Sequence, residues 1–441
     1  MKESIIQFGE GGFLRSFADV FVHKMNEQGL YDGKVVVVQP IAKGLIPVLN
    51  EQKGVYHQFL RGIENGEVRN ECIKVTSVSR GVDPYTDYAE YLKLAHNPDM
   101  RVIISNTTEA GIEYLGTESF DDAPPKSFPA KLTRLLYERF TAGLAGFIIL
   151  SCELIDNNGK ELLDCVLKYA KLWELPETFV QWVQKENHFC NTLVDRICTG
   201  YPKDEAEELT AYLGEEDKLM NTAEIFHLWV IEGDFEQEFP LKTAGVNVIW
   251  TPDVKPYKKR KVRILNGAHT SMVLAARLYG LSTVKECLDD ATVRAFLDKT
   301  LSEEIIPTLG STEEDVIFGK AVLDRFANPF VKHQLLSIAL NSVSKFKARV
   351  LPTLLEYYEE RGVLPKCMTF SLAALIAFYR TEEANDGEEI MAFMKNASVA
   401  DILKKEQYWG RDLSFMLAEV EHYYKIMTTQ GMEKAYAEVL A

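Results

Sequence analysis

Short, nearly all-apolar runs punctuate the first 250 residues. SIIQF (4–8), KVVVVQ (34–39), RVIIS (101–105), GFIILS (146–151) and VNVIW (246–250) are rich in β-branched residues and show no strict alternation. Such runs suit strands covered on both faces. Between them, apolar positions recur at helical spacing over 13–27, 127–142 and 159–173. Residues 57–78 break the rhythm and read as a hairpin turning at Asn65-Gly66. Alternating strands and helices predict an α/β domain over 1–250, built on a parallel sheet. From Pro256 onward the strand signals vanish. Helical periodicity runs to the end, broken at LPT (351–353), GVLPK (362–366) and ANDGEE (384–389). This predicts a mainly α-helical domain over 251–441.

Charge narrows the function classes. The net charge of −16, from 49 basic and 65 acidic residues, argues against nucleic acid as the main partner, because phosphate binding needs a basic face. No apolar run approaches the roughly 18 residues of a membrane span. The seven cysteines include no CxxC pair, which reads as free thiols in a reducing compartment. The chain runs into its first strand without a charged-then-apolar leader, and a cytoplasmic location is expected. No Cys/His spacing marks a metal site. The sequence leaves the oligomeric state open.

Two stretches carry chemistry. In FGEGGF, Gly9, Gly11 and Gly12 follow a strand and precede a helix. Glycines at that point let the backbone approach a pyrophosphate. Phe8, Gly9, Glu10, Gly11, Gly12 and Phe13 are therefore candidate dinucleotide contacts in a Rossmann-like domain; a tight turn is the plainer alternative. Leu14 stands where the third glycine of GxGxxG would be. Gln39 stands where an acid would read the ribose, so the loop does not choose between NAD and NADP. SNTTEAG (105–111) adds Asn106, Thr107, Thr108 and Glu109 at another strand's end, where a capped polar turn is equally plausible.

The second stretch is KPYKKRKVRILNGAHTSMVLAARL (255–278). On a uniform helical wheel with Lys261 at 0°, His269 falls at about 80° and Asn266 at about 140°, within or beside the apolar arc. Lys259, Arg263, Thr270 and Arg277 fall on the opposite face. A lysine in an apolar stripe, beside Lys258, Lys259, Arg260 and Arg263, is pressed toward its neutral form. It can then exchange a proton with an alcohol or ketone oxygen, while Asn266 stabilises charge on that oxygen and His269 holds a hydroxyl. A snorkelling lysine and a core histidine are the alternative. Tyr257 and Lys261 also show the Y-x-x-x-K spacing of short-chain dehydrogenases, but after the sheet rather than inside it.

The motif K-x(4)-N-x(2)-H, with GEGGFLR and VDRI (194–197), resembles the polyol-specific long-chain dehydrogenases/reductases, the mannitol dehydrogenase family, over essentially the whole chain. The resemblance implies a metal-independent, NAD(H)-dependent interconversion of a hexuronate and its aldonate, with Lys261 as acid/base, Asn266 at the alkoxide and His269 orienting substrate. Fructuronate or a ketohexose–polyol pair are alternatives within the family. A dinucleotide-binding regulator without chemistry is the alternative outside it. Where the mannitol branch has SCDN, this chain reads SCEL, with Leu154 in place of an oxyanion asparagine. Asn158 or Asn191 is a candidate replacement. Asp195 and Arg196 are candidates for sugar hydroxyls. Of the basic residues Arg325, Lys332, His333, Lys345 and Arg349, those read as facing the substrate carboxylate are Lys332, His333 and Lys345.

Overall fold

A computed structural model describes residues 1–108 and 110–441. It contains two compact units, residues 1–61 with 69–255 and residues 62–68 with 256–441. The first is built on six strands, Lys2–Phe8, Gly33–Val38, Val78–Val82, Val102–Ser105, Ile148–Ser151 and His188–Cys190. All neighbouring pairs are parallel. Counted along the chain, the strands lie in the order 3-2-1-4-5-6 across the sheet. This is the doubly wound Rossmann order, whose direction of winding reverses between strands one and four.

The unpatterned apolar runs have a simple cause: both faces are covered. Ile5, Val35, Val37, Val102, Ile104, Ile148 and Leu150 pack on one side with Phe17, Phe21 and Met25. Their immediate neighbours Ile6, Val36, Val38, Ile103 and Ile149 pack on the other with Leu132, Leu135 and Val166. The helices Phe128–Thr141 and Asn158–Leu172 form as expected. The expected helix 13–27 is broken at Phe17 into Gly12–Ser16 and Ala18–Glu27.

Two strands of the main sheet went unannounced in the sequence pattern, and one expected strand pairs elsewhere. Val78–Val82 and His188–Cys190 give no apolar run, and both are edge strands of the main sheet; one mixes Ser, Arg and Gly, the other is three residues long. Val248–Thr251 is a strand but lies in a separate sheet with Leu228–Glu232 and Thr192–Asp195. An apolar run signals burial, not the partner it pairs with. The hairpin is as expected: Tyr56–Glu64 and Glu67–Val75 turn at Asn65 (φ 54°) and Gly66 (φ 79°), the two positive angles of a type I′ turn.

In the second unit, no strand occurs among the described residues 256–441, only an isolated bridge between Thr283 and Gln334. Its central helix, Lys366–Phe378, buries every residue from Cys367 to Phe378 and packs on Ala268–Tyr279 and Leu417–Gln430. Pro365 offers no side-chain cap. The first amides are instead taken by Glu304, whose oxygens accept from Cys367 N (2.7 Å) and Met368 N (2.9 Å). Burial outweighs these two bonds and pushes the Glu304 pKa up to about 7. A carboxyl whose folded pKa is raised stabilises the fold most below its unfolded pKa, and that contribution is lost as pH rises through about 7. The Tm of wild type minus that of Glu304→Gln is therefore expected to be larger at pH 5 than at pH 8, measured by thermal unfolding in the two buffers.

Candidate active site

The first strand's loop is shaped by close contacts rather than by sequence regularity. Gly9 has φ +124°, and a Cβ there would lie 2.9 Å from the Asn106 carbonyl oxygen. The loops after strands one and four thus meet at the point where the sheet's winding reverses. A Cβ on Gly11 would meet nothing within 4 Å, so this backbone is open to a ligand. Gly12 packs under Asn221, whose Nδ2 donates to the Gly12 carbonyl at 2.7 Å. Arg15 closes the loop from below, donating to the Glu10 carbonyl (3.1 Å) and to the Leu219 carbonyl (2.6 Å). The arginine of GEGGFLR is thus a strut for the glycine turn. Phe8 is a core side chain packed 4.8 Å from Phe128, and Phe13 stacks on Phe17 at 5.0 Å. Glu10 is buried and Gln39 almost wholly so.

The polar loop after strand four is fixed by a residue the sequence reading passed over. Glu153 accepts from Thr107 N (3.0 Å), Thr107 Oγ1 (3.0 Å) and Ser105 Oγ (3.1 Å), and burial raises its pKa. Asn106 donates to the Cys152 carbonyl at 2.7 Å. Thr108 takes a positive φ of 72°, uncommon for a β-branched residue. Glu109 lies outside the described residues. The signal for Glu153 was present: an acid directly after an apolar strand, in SCEL. Leu154 beside it is exposed.

The helix bearing Lys261, Asn266 and His269 is not uniform. Lys255–Lys261 is α-helical, Val262–Gly267 is a π-helical turn, and Ala268–Tyr279 is α-helical again. A π turn bonds i to i+5 and takes in an extra residue. It rotates the faces on its two sides relative to a 3.6-residue wheel. Two expectations fail for this reason: Arg263 and Thr270, assigned to solvent, are buried. Arg263 donates to Thr353 Oγ1 (2.7 Å) and holds Glu356 at 2.9 Å. The expected repulsion around Lys261 is also offset. Arg260 sits on Asp315 (2.6 Å) and Glu314 (2.9 Å), and Lys259 on Glu356 (3.3 Å). Lys261, Asn266 and His269 are each half-buried.

His269 stacks on Phe326 at 4.6 Å and meets His333 edge-on at 5.2 Å. Its Nε2 is buried without a hydrogen-bond partner among the described residues. Burial first, then the neighbouring basic groups His333, Arg349, Arg325 and Lys345, push its pKa down to about 3, so the ring is neutral. His333 and Lys345, read from the sequence as facing a substrate carboxylate, lie close to His269. Lys332 is exposed.

Residues 3–242 match the model of the mannitol dehydrogenase Rossmann domain and residues 253–439 that of the mannitol dehydrogenase C-terminal domain. The chain belongs to the mannitol dehydrogenase family. With it, the protein belongs to the dehydrogenases that act on CH–OH groups. It is 50% identical to the altronate oxidoreductase of Yersinia enterocolitica, over 99% of this chain and 96% of that one. It is 51% identical to the altronate oxidoreductase of Escherichia coli strain IAI39, over 98% and 96%. Among solved structures, D-sorbitol dehydrogenase in substrate-free form aligns with TM-score 0.85 at 23% identity, covering 99% of this chain and 95% of that one. Mannitol 2-dehydrogenase of Pseudomonas fluorescens, solved with NAD and D-mannitol, aligns with TM-score 0.70 at 20% identity, covering 100% and 94%. These two likenesses show the fold.

Four further residues singled out in the sequence have structural duties. Both amide hydrogens of Asn158 are spent, on the Glu153 and Thr192 carbonyls at 3.0 Å each, so it has no donor left for an oxyanion. Asn191 donates one to Glu232 at 2.7 Å and accepts from Lys160 N. Arg196 gives its hydrogens to the carbonyls of Ser16, Ile225 and Phe226. It ties the glycine-loop helix to the neighbouring strands. Asp195 is buried within the strand Thr192–Asp195, opposite Leu228.

A dinucleotide fits the glycine loop: Gly9 permits the left-handed turn against Asn106, and Gly11 leaves its outer side open. Gly9→Ala adds a methyl at a positive φ and within 2.9 Å of a carbonyl oxygen, a strain on the order of 1–3 kcal/mol. It is expected to weaken dinucleotide binding at least about tenfold by fluorescence titration, with far-UV circular dichroism unchanged. Unaltered affinity would remove the loop from the cofactor site.

Proposed function

We propose that this protein interconverts D-altronate and D-tagaturonate with NAD(H), without a metal, using Lys261 as the acid/base. One observation carries the reading: relatives named altronate oxidoreductase are 50–51% identical over 98–99% of the chain. The lysine–asparagine–histidine set, on a helix reshaped by a π turn, supports it, since such turns are frequent at functional sites.

Phe8 to Phe13, through their backbone, with Asn106, Thr107 and Thr108, would hold the dinucleotide. When bound, its nicotinamide supplies a hydride to the ketone carbon or accepts one from the alcohol carbon. The Lys261 ammonium gives its proton to the carbonyl oxygen as the bond order falls. The amine takes the proton back in the oxidising direction. Asn266 donates an amide hydrogen to that oxygen while negative charge develops. His269, neutral and with Nε2 unspent, pairs with a substrate hydroxyl without adding charge. Holding substrate and cofactor in register supplies much of the rate. Lys345 provides positive charge that suits a sugar acid, and His333 beside it offers a ring nitrogen.

Tagaturonate, fructuronate and fructose assayed side by side for NADH oxidation decide the substrate. The expected kcat/KM for tagaturonate exceeds the others at least tenfold, and equal or reversed preference would sink the assignment. Lys261→Ala is expected to lower kcat by at least about 100-fold, the scale of general acid–base catalysis. Near-normal turnover would strip the residue of its role. Chelator should leave the wild-type rate unchanged.

A further inference from the structure

The charges that bear most strongly on the His269 ring are His333, Arg349, Arg325 and Lys345, all basic. They arrive from separate stretches: Arg325 from the helix Glu313–Phe326, His333 from the segment before Leu335–Ile338, and Lys345 and Arg349 from the helix Ser342–Arg349. Gathering them is costly, because like charges repel and burial strips their water. Arg325 is only 8% exposed. Burial also holds the Arg349 and Lys345 pKa values below their ordinary range. Lys345 donates to the Ile338 carbonyl at 2.8 Å. The acid that acts on it, Asp386, already accepts the Tyr379 hydroxyl at 2.6 Å.

Arg349 stands apart from the other arginines of this unit. Arg260, Arg263, Arg277 and Arg294 each hold a carboxylate. The half-buried Arg349 guanidinium has no hydrogen-bond or ion-pair partner among the described residues, and burial lowers its pKa. Its backbone is fixed against the catalytic helix: a Cβ on Gly267, the last residue of the π turn, would lie 3.0 Å from the Arg349 carbonyl oxygen. A planar fork of N–H donors, held beside a neutral histidine with Lys345 near, suits a carboxylate better than a neutral hydroxyl.

We infer that Arg349 grips the substrate's carboxylate, with Lys345 nearby, and that it makes this site select sugar acids over neutral polyols of the same length. The inference rests on the reading above that Lys261, Asn266 and His269 hold the substrate.

D-altronate and D-altritol share chain and hydroxyls and differ in one charged end. In thermal-shift titrations of the NAD-loaded wild type, altronate should stabilise more than altritol. Arg349→Gln should abolish that difference and keep the altritol shift. In steady state, Arg349→Gln should raise KM for tagaturonate about tenfold to a hundredfold, the loss of a charged bidentate contact, with kcat within about threefold. Arg349→Lys should fall between. An altronate shift in Arg349→Gln equal to wild type, or a KM within twofold, overturns the inference. Should Arg349→Gln not fold, Arg349→Lys with an unchanged KM overturns it equally. Wild-type turnover is scored separately: its absence strikes the proposed function, while the altronate–altritol difference in binding still decides the role of Arg349.

Discussion

One turn of helix sets how Lys261, Asn266 and His269 are displayed. Between Lys261 and Ala268 the backbone widens to a π turn, and every side chain before and after it is re-aimed by the inserted residue. A π turn is a poorer structure than the α-helix it interrupts, so packing must hold it. Here Arg263 is drawn inward to Thr353 and Glu356. Gly267 lets the neighbouring helix come so close that no larger residue would fit comfortably. Downstream, the segment from Thr270 to Ala276 is buried throughout, which leaves the widened turn no freedom to relax into regular helix.

The nucleotide-binding unit solves a related problem with hydrogen bonds. A glycine loop without the full fingerprint must still be held open. Arg15 and Asn221 brace it through backbone carbonyls, and Glu153 fixes the adjoining loop through Thr107 and Ser105. Each of these polar groups is buried, and each spends its hydrogen-bonding capacity on the loops themselves. This explains why residues that read as ligand contacts, Asn158 and Arg196 above all, turn out to be struts. Buried polar side chains close to a site must be satisfied by the fold before any substrate arrives.

Charge is distributed unevenly along the helical unit. Most basic residues around the π turn are paired: Arg260 with Asp315, Arg263 and Lys259 with Glu356. The side chains that act most strongly on His269 are basic in type, His333, Arg349, Arg325 and Lys345, and burial with their influence keeps its ring neutral.

Much was legible from residues alone. Continuous apolar runs announced a sheet covered on both faces, Asn65-Gly66 announced a hairpin, which lies in a separate sheet, and the spacing of Lys261, Asn266 and His269 announced a shared helix. These features are local, set by side-chain period and backbone preference. The edge strands Val78–Val82 and His188–Cys190 were not legible, because half-exposed or very short strands carry no apolar signature. Nor was the burial of Arg263 and Thr270, because a wheel assumes 3.6 residues per turn. Whether Glu153, Asn158, Arg196 or Arg349 points to a loop, a carbonyl or open space depends on chain brought from tens or hundreds of residues away. Sequence settles which elements form and which chemical groups they carry; the tertiary structure alone decides which of those groups are already spent on the fold and which remain free to meet a ligand.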